Sequence, residues 1–104
     1  MPCEGTIDKL SHQETTEKIE HLNTWTLDED VALEKELKFD DFAKALVFVN
    51  KVGELAEKEG HHPDISIFNY NHVKLRLSTH AIAGLSDNDF ILAELIDGLL
   101  RETE

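Results

Sequence analysis

The amino-acid sequence predicts an α+β fold: a four-stranded antiparallel sheet with three helices packed on one face, in the order α-β-β-α-β-β-α. Three observations carry that expectation. Val73 to Thr79 alternates apolar and polar residues at period two, as a strand with one covered face does. The stretch from 41 to 59 instead repeats its apolar residues at the helical period. No internal repeat, low-complexity tract or proline- and serine-rich linker divides the 104 residues, a length suited to one core, so residues 1–104 are expected to form a single domain.

Residues 1–9 lack periodicity and are expected to fray. Ser11-His12-Gln13-Glu14 fits a capping box and opens a helix over about 12–22 that buries Ile19 and Leu22. Asn23 and Thr24 interrupt it. Trp25 to Leu27 reads as a short strand, Asp28-Glu29-Asp30 as a turn, and Val31 to Phe39 as a second strand. Leu33, Leu37 and Phe39 share one face of that strand, and Lys35 shares their parity.

Asp40 or Asp41 caps the next helix, over about 41–59. Phe42, Ala45, Leu46, Val49, Val52, Gly53 and Ala56 form its apolar stripe, and Phe48 with Leu55 widens the arc on one flank. One sheet contact rarely needs so wide an arc, so another subunit is expected to cover that flank; the alternative is that the first helix does. Gly60 suits the left-handed residue that closes the helix. A strand from Ile65 to Tyr70, a tight turn within 69–72 and a strand from Val73 to Thr79 follow. In the last of these Val73, Leu75, Leu77 and Thr79 point inward, and His72, Lys74, Arg76, Ser78 and His80 the other way. Gly84-Leu85 turns the chain, Ser86 caps, and a final helix over 87–101 buries Leu92, Leu95, Ile96 and Leu99.

Charge and composition narrow the function classes. The 22 acidic side chains outnumber 10 Lys and Arg, for a formal net charge of -12 that repels phosphate backbones, so direct nucleic-acid binding is not expected. The longest apolar run, Ala45 to Val49, is far short of the roughly 20 residues a membrane helix needs, so no membrane partner is expected. Met1 to Gly5 offers neither a basic region nor an apolar signal segment, and Cys3, as the sole cysteine, has no internal disulfide partner. The expectation is a small soluble cytoplasmic protein.

Six histidines carry the chemical interest: His12, His21, His61, His62, His72 and His80. If the last two strands form a hairpin, centring its turn at 69/70, 70/71 or 71/72 puts residue 80 opposite residue 59, 61 or 63. Each choice brings His80 beside the His61-His62 pair, where opposed Cα atoms lie roughly 5 Å apart. A zinc site fits this cluster poorly. His61 and His62 are adjacent, Pro63 holds His62 extended so that the two side chains diverge, and no cysteine or His-Glu-x-x-His pattern is near. Nucleophilic catalysis has less support, because no Gly-x-Ser-x-Gly elbow occurs.

General acid–base chemistry suits the cluster better. Three imidazoles with Glu57 one helical turn before His61 allow one ring to be protonated while another is neutral. The plainer alternative is that His61 and His62 only terminate the helix at its negative end. His12 and His21 read as solvated and His72 as a turn or open-face residue. Asp89, three residues after Ser86, completes a capping-box-like pair, and Trp25 reads first as core.

Glu57-x-x-x-His61-His62-Pro63, six residues, Tyr70, nine residues, His80, eight residues and Asp89 together resemble the signature of the pterin-4a-carbinolamine dehydratases. The resemblance continues in Asp41-Phe42, Ala56-Glu57, Tyr70-Asn71-x-Val73, Leu77-Ser78-Thr79-His80 and Gly84-Leu85, from Trp25 to the last helix. It implies the fold already read from the pattern, with strands joining across a dimer and, in many members, two dimers paired through the second helix. The implied reaction removes water from a 4a-hydroxytetrahydropterin to give a quinonoid dihydropterin, with no metal or organic cofactor. By position, His61, His62 and His80 become the catalytic and binding histidines: His61 and His80 the acid/base pair, in either order, and His62 mainly a holder of the pterin. Glu57, Ser78, Thr79, Trp25 and Asp89 line or support the substrate site. Some animal members also serve as dimerisation cofactors of a transcription factor, which makes a protein–protein adaptor acting through the second helix the alternative.

Overall fold

The computed structural model describes residues 9–22 and 24–103, so Cys3 and most of the stretch expected to fray lie outside the described residues. In chain order the elements are α1 (His12–Ile19), β1 (Thr26–Asp28), β2 (Ala32–Lys38), α2 (Phe42–Glu59), β3 (Asp64–Phe68), β4 (His72–Leu77), one 3-10 turn (His80–Ile82) and α3 (Asp87–Thr103). The strands form one antiparallel sheet in the order β1-β2-β4-β3.

Local chemistry accounts for the ends of these elements. Both halves of the α1 capping box are made: the Glu14 amide donates to Ser11 Oγ and the Ser11 amide to Glu14 Oε1. The helix stops at Ile19, earlier than expected, although Leu22 beyond it is buried. Asp41, not Asp40, caps α2 by accepting from the Lys44 amide at 2.8 Å, while Asp40 pairs with the Lys44 ammonium. Gly60 closes α2 at φ 69°, in the left-handed conformation expected of it.

The core lies between the helices and one face of the sheet. Val73, Leu75 and Leu77 are buried with Leu33, Ala45, Val52, Leu85, Leu92 and Ile96. Burying these side chains is the main driving force for assembling the layers, at roughly 1.5–3 kcal/mol for each large aliphatic residue. The other face of β4 is half exposed, and there Arg76 Nη1 pairs with Asp28 at 2.7 Å and Glu34 at 2.5 Å.

Three expectations change. Phe48 is buried within the chain, its ring 5.2 Å from that of Phe39, and Leu55 packs partly against the core. The wide arc of α2 therefore serves two partners of its own chain, the sheet and α3, and its exposed large apolar residues are Phe42, Leu46 and Val47. On α3, Leu95 is exposed; the buried stripe runs through Asp89, Ala93 and Ile96, with a carboxylate on the core face where the hydropathy pattern favours none. The β3–β4 hairpin pairs Phe68 with His72, so its turn centres on Tyr70 itself, with Asn69 and Tyr70 both at positive φ. By the same register residue 80 falls opposite residue 60, between two of the expected alternatives.

Candidate active site

Two chain reversals bring the histidines together. At the end of α2 the amides of Gly60 and His61 both donate to the Ala56 carbonyl, and the left-handed turn at Gly60 sends His61 inward and His62 outward. Beyond β4, Thr79 and Gly84 form an isolated bridge, with the Thr79 amide donating to Gly84 O at 2.8 Å. That bridge closes a loop whose first residue is His80. The loop is tight, since Ala83 takes φ 52° and a Cβ at Gly84 would meet the side chain of Lys9 at 2.6 Å. His61, His62 and His80 then line one cavity of about 270 Å³ with Gly60, Ser78 and Ala81.

The three rings stand in different surroundings. His61 is 5% exposed, and its Nε2 lies 2.6 Å from Asp89 Oδ1. Asp89 is fully buried; its Oδ2 accepts from the Thr79 hydroxyl at 2.8 Å and from the Ser86 amide at 3.0 Å. Thr79 Oγ1 also lies 2.8 Å from Ser86 Oγ. Three donors on one carboxylate suit its ionised form, which accepts at both oxygens. A carboxylate that only accepts favours a donating Nε2–H on the His61 ring at this contact. His62 is exposed and pairs with Glu57 at 2.5 Å. His80 is exposed at the cavity rim. The arrangement combines a fixed, buried imidazole with two solvent-facing ones around a shared space, which is what exchanging protons with a bound molecule requires.

The remaining candidates divide by depth. Glu57 meets His62 and not His61, because the turn at Gly60 carries residue 61 away from the helix face that holds Glu57. Ser78 lines the cavity, with its hydroxyl donating to Val31 O at 2.7 Å. Thr79 and Asp89 are buried beneath the cavity and meet its contents only through their neighbours. Asp89 keeps the capping contact as well, accepting from the amide of Ser86. Trp25 is not among the cavity residues; it is buried, and its indole Nε1 donates to Asp97 Oδ1 at 3.0 Å. His12 is exposed and pairs with Asp30, His21 is exposed, and the His72 ring stacks on Phe68. Ser86 joins the network in a way its capping position did not signal. Among the described residues no group of three His, Cys, Asp or Glu side chains is arranged to hold a metal ion.

Known proteins share both sequence and architecture with this chain. A protein of Halorhodospira halophila that carries the name pterin-4-alpha-carbinolamine dehydratase is 41% identical over 100 residues, covering 95% of this chain and 91% of its own. One of Methylococcus capsulatus with the same name is 42% identical over 102 residues, covering 97% and 89%. A solved structure from Brucella melitensis, described as a transcriptional coactivator/pterin dehydratase, superposes with a TM-score of 0.80 at 30% identity, over 88% of this chain and 97% of that one. Residues 8–99 match the family described as pterin 4 alpha carbinolamine dehydratase. A histidine-lined cavity on this fold thus sits in a chain that belongs to the pterin-4α-carbinolamine dehydratase family.

Proposed function

We propose that the protein dehydrates a 4a-hydroxytetrahydropterin to a quinonoid dihydropterin by histidine acid–base catalysis. The observation that carries this reading is the single cavity lined by His61, His62 and His80, with His61 fixed by buried Asp89. The chemistry asks for two proton transfers. A protonated imidazole gives its proton to the 4a-hydroxyl, so the C4a–O bond breaks with water as the leaving group. The N5 lone pair closes the C4a=N5 double bond, and a neutral imidazole accepts the N5 proton. His61 and His80 are the pair, each transfer worth about 10²–10⁴ in rate. In this reading exposed His62, paired with Glu57, contacts the pterin ring, and backbone groups around Ser78 and Thr79 meet its amide edge.

A cavity of about 270 Å³ suits a flat bicycle with its side chain left in solvent. The reaction needs no metal or organic cofactor, and its product can be reduced and reused as a hydroxylase cofactor in the cytoplasm. The test is to follow loss of freshly generated 4a-carbinolamine with and without the protein, subtracting the spontaneous reaction. Acceleration proportional to protein supports the reading; a rate equal to background removes it.

A second reading rests on α2. Phe42, Leu46 and Val47 are large apolar residues left exposed on one helix, a surface suited to a second copy of the chain or to another protein. The Brucella protein, described as both coactivator and dehydratase, makes a partner on this helix reasonable. Homodimer or homotetramer formation and an adaptor role share that surface. Leu46→Glu is expected to lower the sedimentation mass, or abolish partner capture, while leaving turnover per cavity within about twofold.

A further inference from the structure

Asp89, Thr79 and Ser86 are buried and hydrogen-bonded to one another, yet acid–base chemistry at His61 and His80 uses none of them directly. Their hydrogens admit one arrangement. An ionised Asp89 accepts only, so Thr79 spends its single hydroxyl hydrogen on Asp89 Oδ2. Thr79 Oγ1 then has lone pairs alone to offer across the 2.8 Å gap to Ser86 Oγ, and the Ser86 hydroxyl must be the donor there. The Ser86 amide adds a second donor to the same carboxylate oxygen at 3.0 Å. All polarity in this chain runs from Ser86 through Thr79 to Asp89. His61 Nε2–H meets it at the free oxygen, Oδ1, from the other side.

We propose that Thr79 and Ser86 are positioning residues that act through Asp89 to set the tautomer of His61. The Thr79 hydroxyl and the Ser86 amide pin Oδ2, with the Ser86 hydroxyl holding Thr79 in turn, which fixes the plane of the carboxylate and aims Oδ1 at Nε2 of the imidazole. With Nε2–H held there, Nδ1 is the ring atom that gains and loses the catalytic proton. Without the Thr79 hydroxyl, Asp89 keeps one donor on Oδ2, its plane is free to turn, and the ring divides between two tautomers, only one of which is productive. This inference rests on His61 being an acid–base group, and it makes two residues beneath the cavity responsible for the state of one that lines it.

Three variants of the full chain test it. Thr79→Val keeps the shape and removes the hydroxyl; Thr79→Ser keeps the hydroxyl and removes the methyl; Ser86→Ala removes the far donor but leaves the Ser86 amide. The first readout is the ring ¹⁵N spectrum of His61 at about pH 8, where an unperturbed imidazole is neutral. Native protein and Thr79→Ser are expected to show the Nε2–H tautomer and Thr79→Val a mixture. The second readout is turnover. Thr79→Val is expected to lower kcat by about fivefold to tenfold with KM within twofold, Thr79→Ser to restore it, and Ser86→Ala to lose about threefold, in keeping with one hydrogen bond each.

An unchanged ¹⁵N spectrum in Thr79→Val, or Thr79→Ser as impaired as Thr79→Val, overturns the proposal in favour of packing. If Thr79→Val does not fold, Ser86→Ala decides by the same spectrum. The spectrum is independent of substrate: a tautomer shift in a protein without dehydratase activity leaves this inference standing and removes the proposed reaction, and turnover with an unmoved tautomer does the reverse.

Discussion

Helix α3 carries two carboxylates that reach buried partners, Asp89 in its first turn and Asp97 about two turns on, and they end in different kinds of site. Asp97 accepts from Lys35 Nζ at 3.2 Å and from the Trp25 indole at 3.0 Å. Lys35 also donates to Thr24 and lies 5.5 Å from the Trp25 ring centroid. Asp89 accepts from His61, Thr79 and Ser86. Both are buried charged centres with a hydroxyl in attendance. In one, an ammonium lies beside an indole with its charge already balanced, and the cavity of about 740 Å³ that it borders holds no imidazole. In the other, the partner is an imidazole that also lines a cavity with two more imidazoles. A buried charged pair beside a cavity is therefore not by itself the sign of a site; a ring able to give and take a proton near neutral pH, grouped with others of its kind, is.

Breaking each pair separates the two kinds. Asp97→Ala leaves the Lys35 ammonium buried without its counter-charge. The expected loss is about 3 kcal/mol, at the lower end for buried pairs because Asp97 is partly exposed. Thermal unfolding reads this as a fall in Tm, while kcat of the folded protein stays within twofold. Replacing both partners, as Lys35→Met with Asp97→Leu, is expected to recover most of that loss, because it removes the stranded charge along with the pair. A double variant as unstable as the single one would contradict this account of the cluster.

On the other side of the comparison the effect moves from stability to rate. His80→Ala is expected to lower kcat by about 10²-fold or more with Tm nearly unchanged, since the ring is exposed. His61→Ala is expected to cost as much in rate and some Tm as well, because buried Asp89 loses one of its three donors. A stopped assay of carbinolamine loss and a melting curve on the same samples check both. If His61→Ala lowered Tm and left kcat intact, the Asp89 cluster would be structural in the same sense as that of Asp97.

The fold was readable from the sequence wherever one rule governed each segment. Ser11 and Glu14, Asp41, Gly60 and the alternation from Val73 to Leu77 all behave as their local chemistry requires. Hairpin register brings His80 to His61 and His62 whichever turn is used, and the turn actually formed centres on Tyr70 at positive φ, between two of the expected registers. What periodicity misjudged lay on helices that touch two neighbours. Phe48 meets its own chain because α2 has two neighbours where an apolar arc suggests one, and α3 buries Leu92 and Ile96 as expected but turns Asp89 inward and leaves Leu95 out. A carboxylate reads as surface until its donors are known, and those donors come from Thr79 and from His61, 28 residues away. Ser86 reads from the sequence as a helix cap alone, because its partner Thr79 comes from the far side of the loop. Lys35 was legible as a conflict of parity, but its partner Asp97, 62 residues distant, was not.

The smallest effect in this series comes from a third imidazole–carboxylate pair that is not buried at all. His12 Nδ1 lies 2.8 Å from Asp30 Oδ2, tying α1 to the β1–β2 turn, and the Thr15 hydroxyl adds a bond to Oδ1 at 3.0 Å. The His12 hydrogen bond holds the Asp30 carboxyl below its ordinary value of 3.8; partial desolvation opposes it, and the Thr15 hydrogen bond adds to the lowering. A carboxylate depressed in the folded state adds stability that is complete above its unfolded value and fades as pH falls through the folded one. Asp30→Asn should therefore lower Tm slightly at neutral pH and make no difference once the Asp30 carboxyl is protonated in both the folded and the unfolded chain, so the two melting curves draw together as pH falls below 3.8 and through the lower folded value. Because water screens this pair, added salt should narrow the neutral-pH gap, whereas the deficit of Asp97→Ala should hold in the same salt. If salt erased both gaps equally, burial would not be what separates the exposed His12–Asp30 pair from the enclosed Lys35–Asp97 pair.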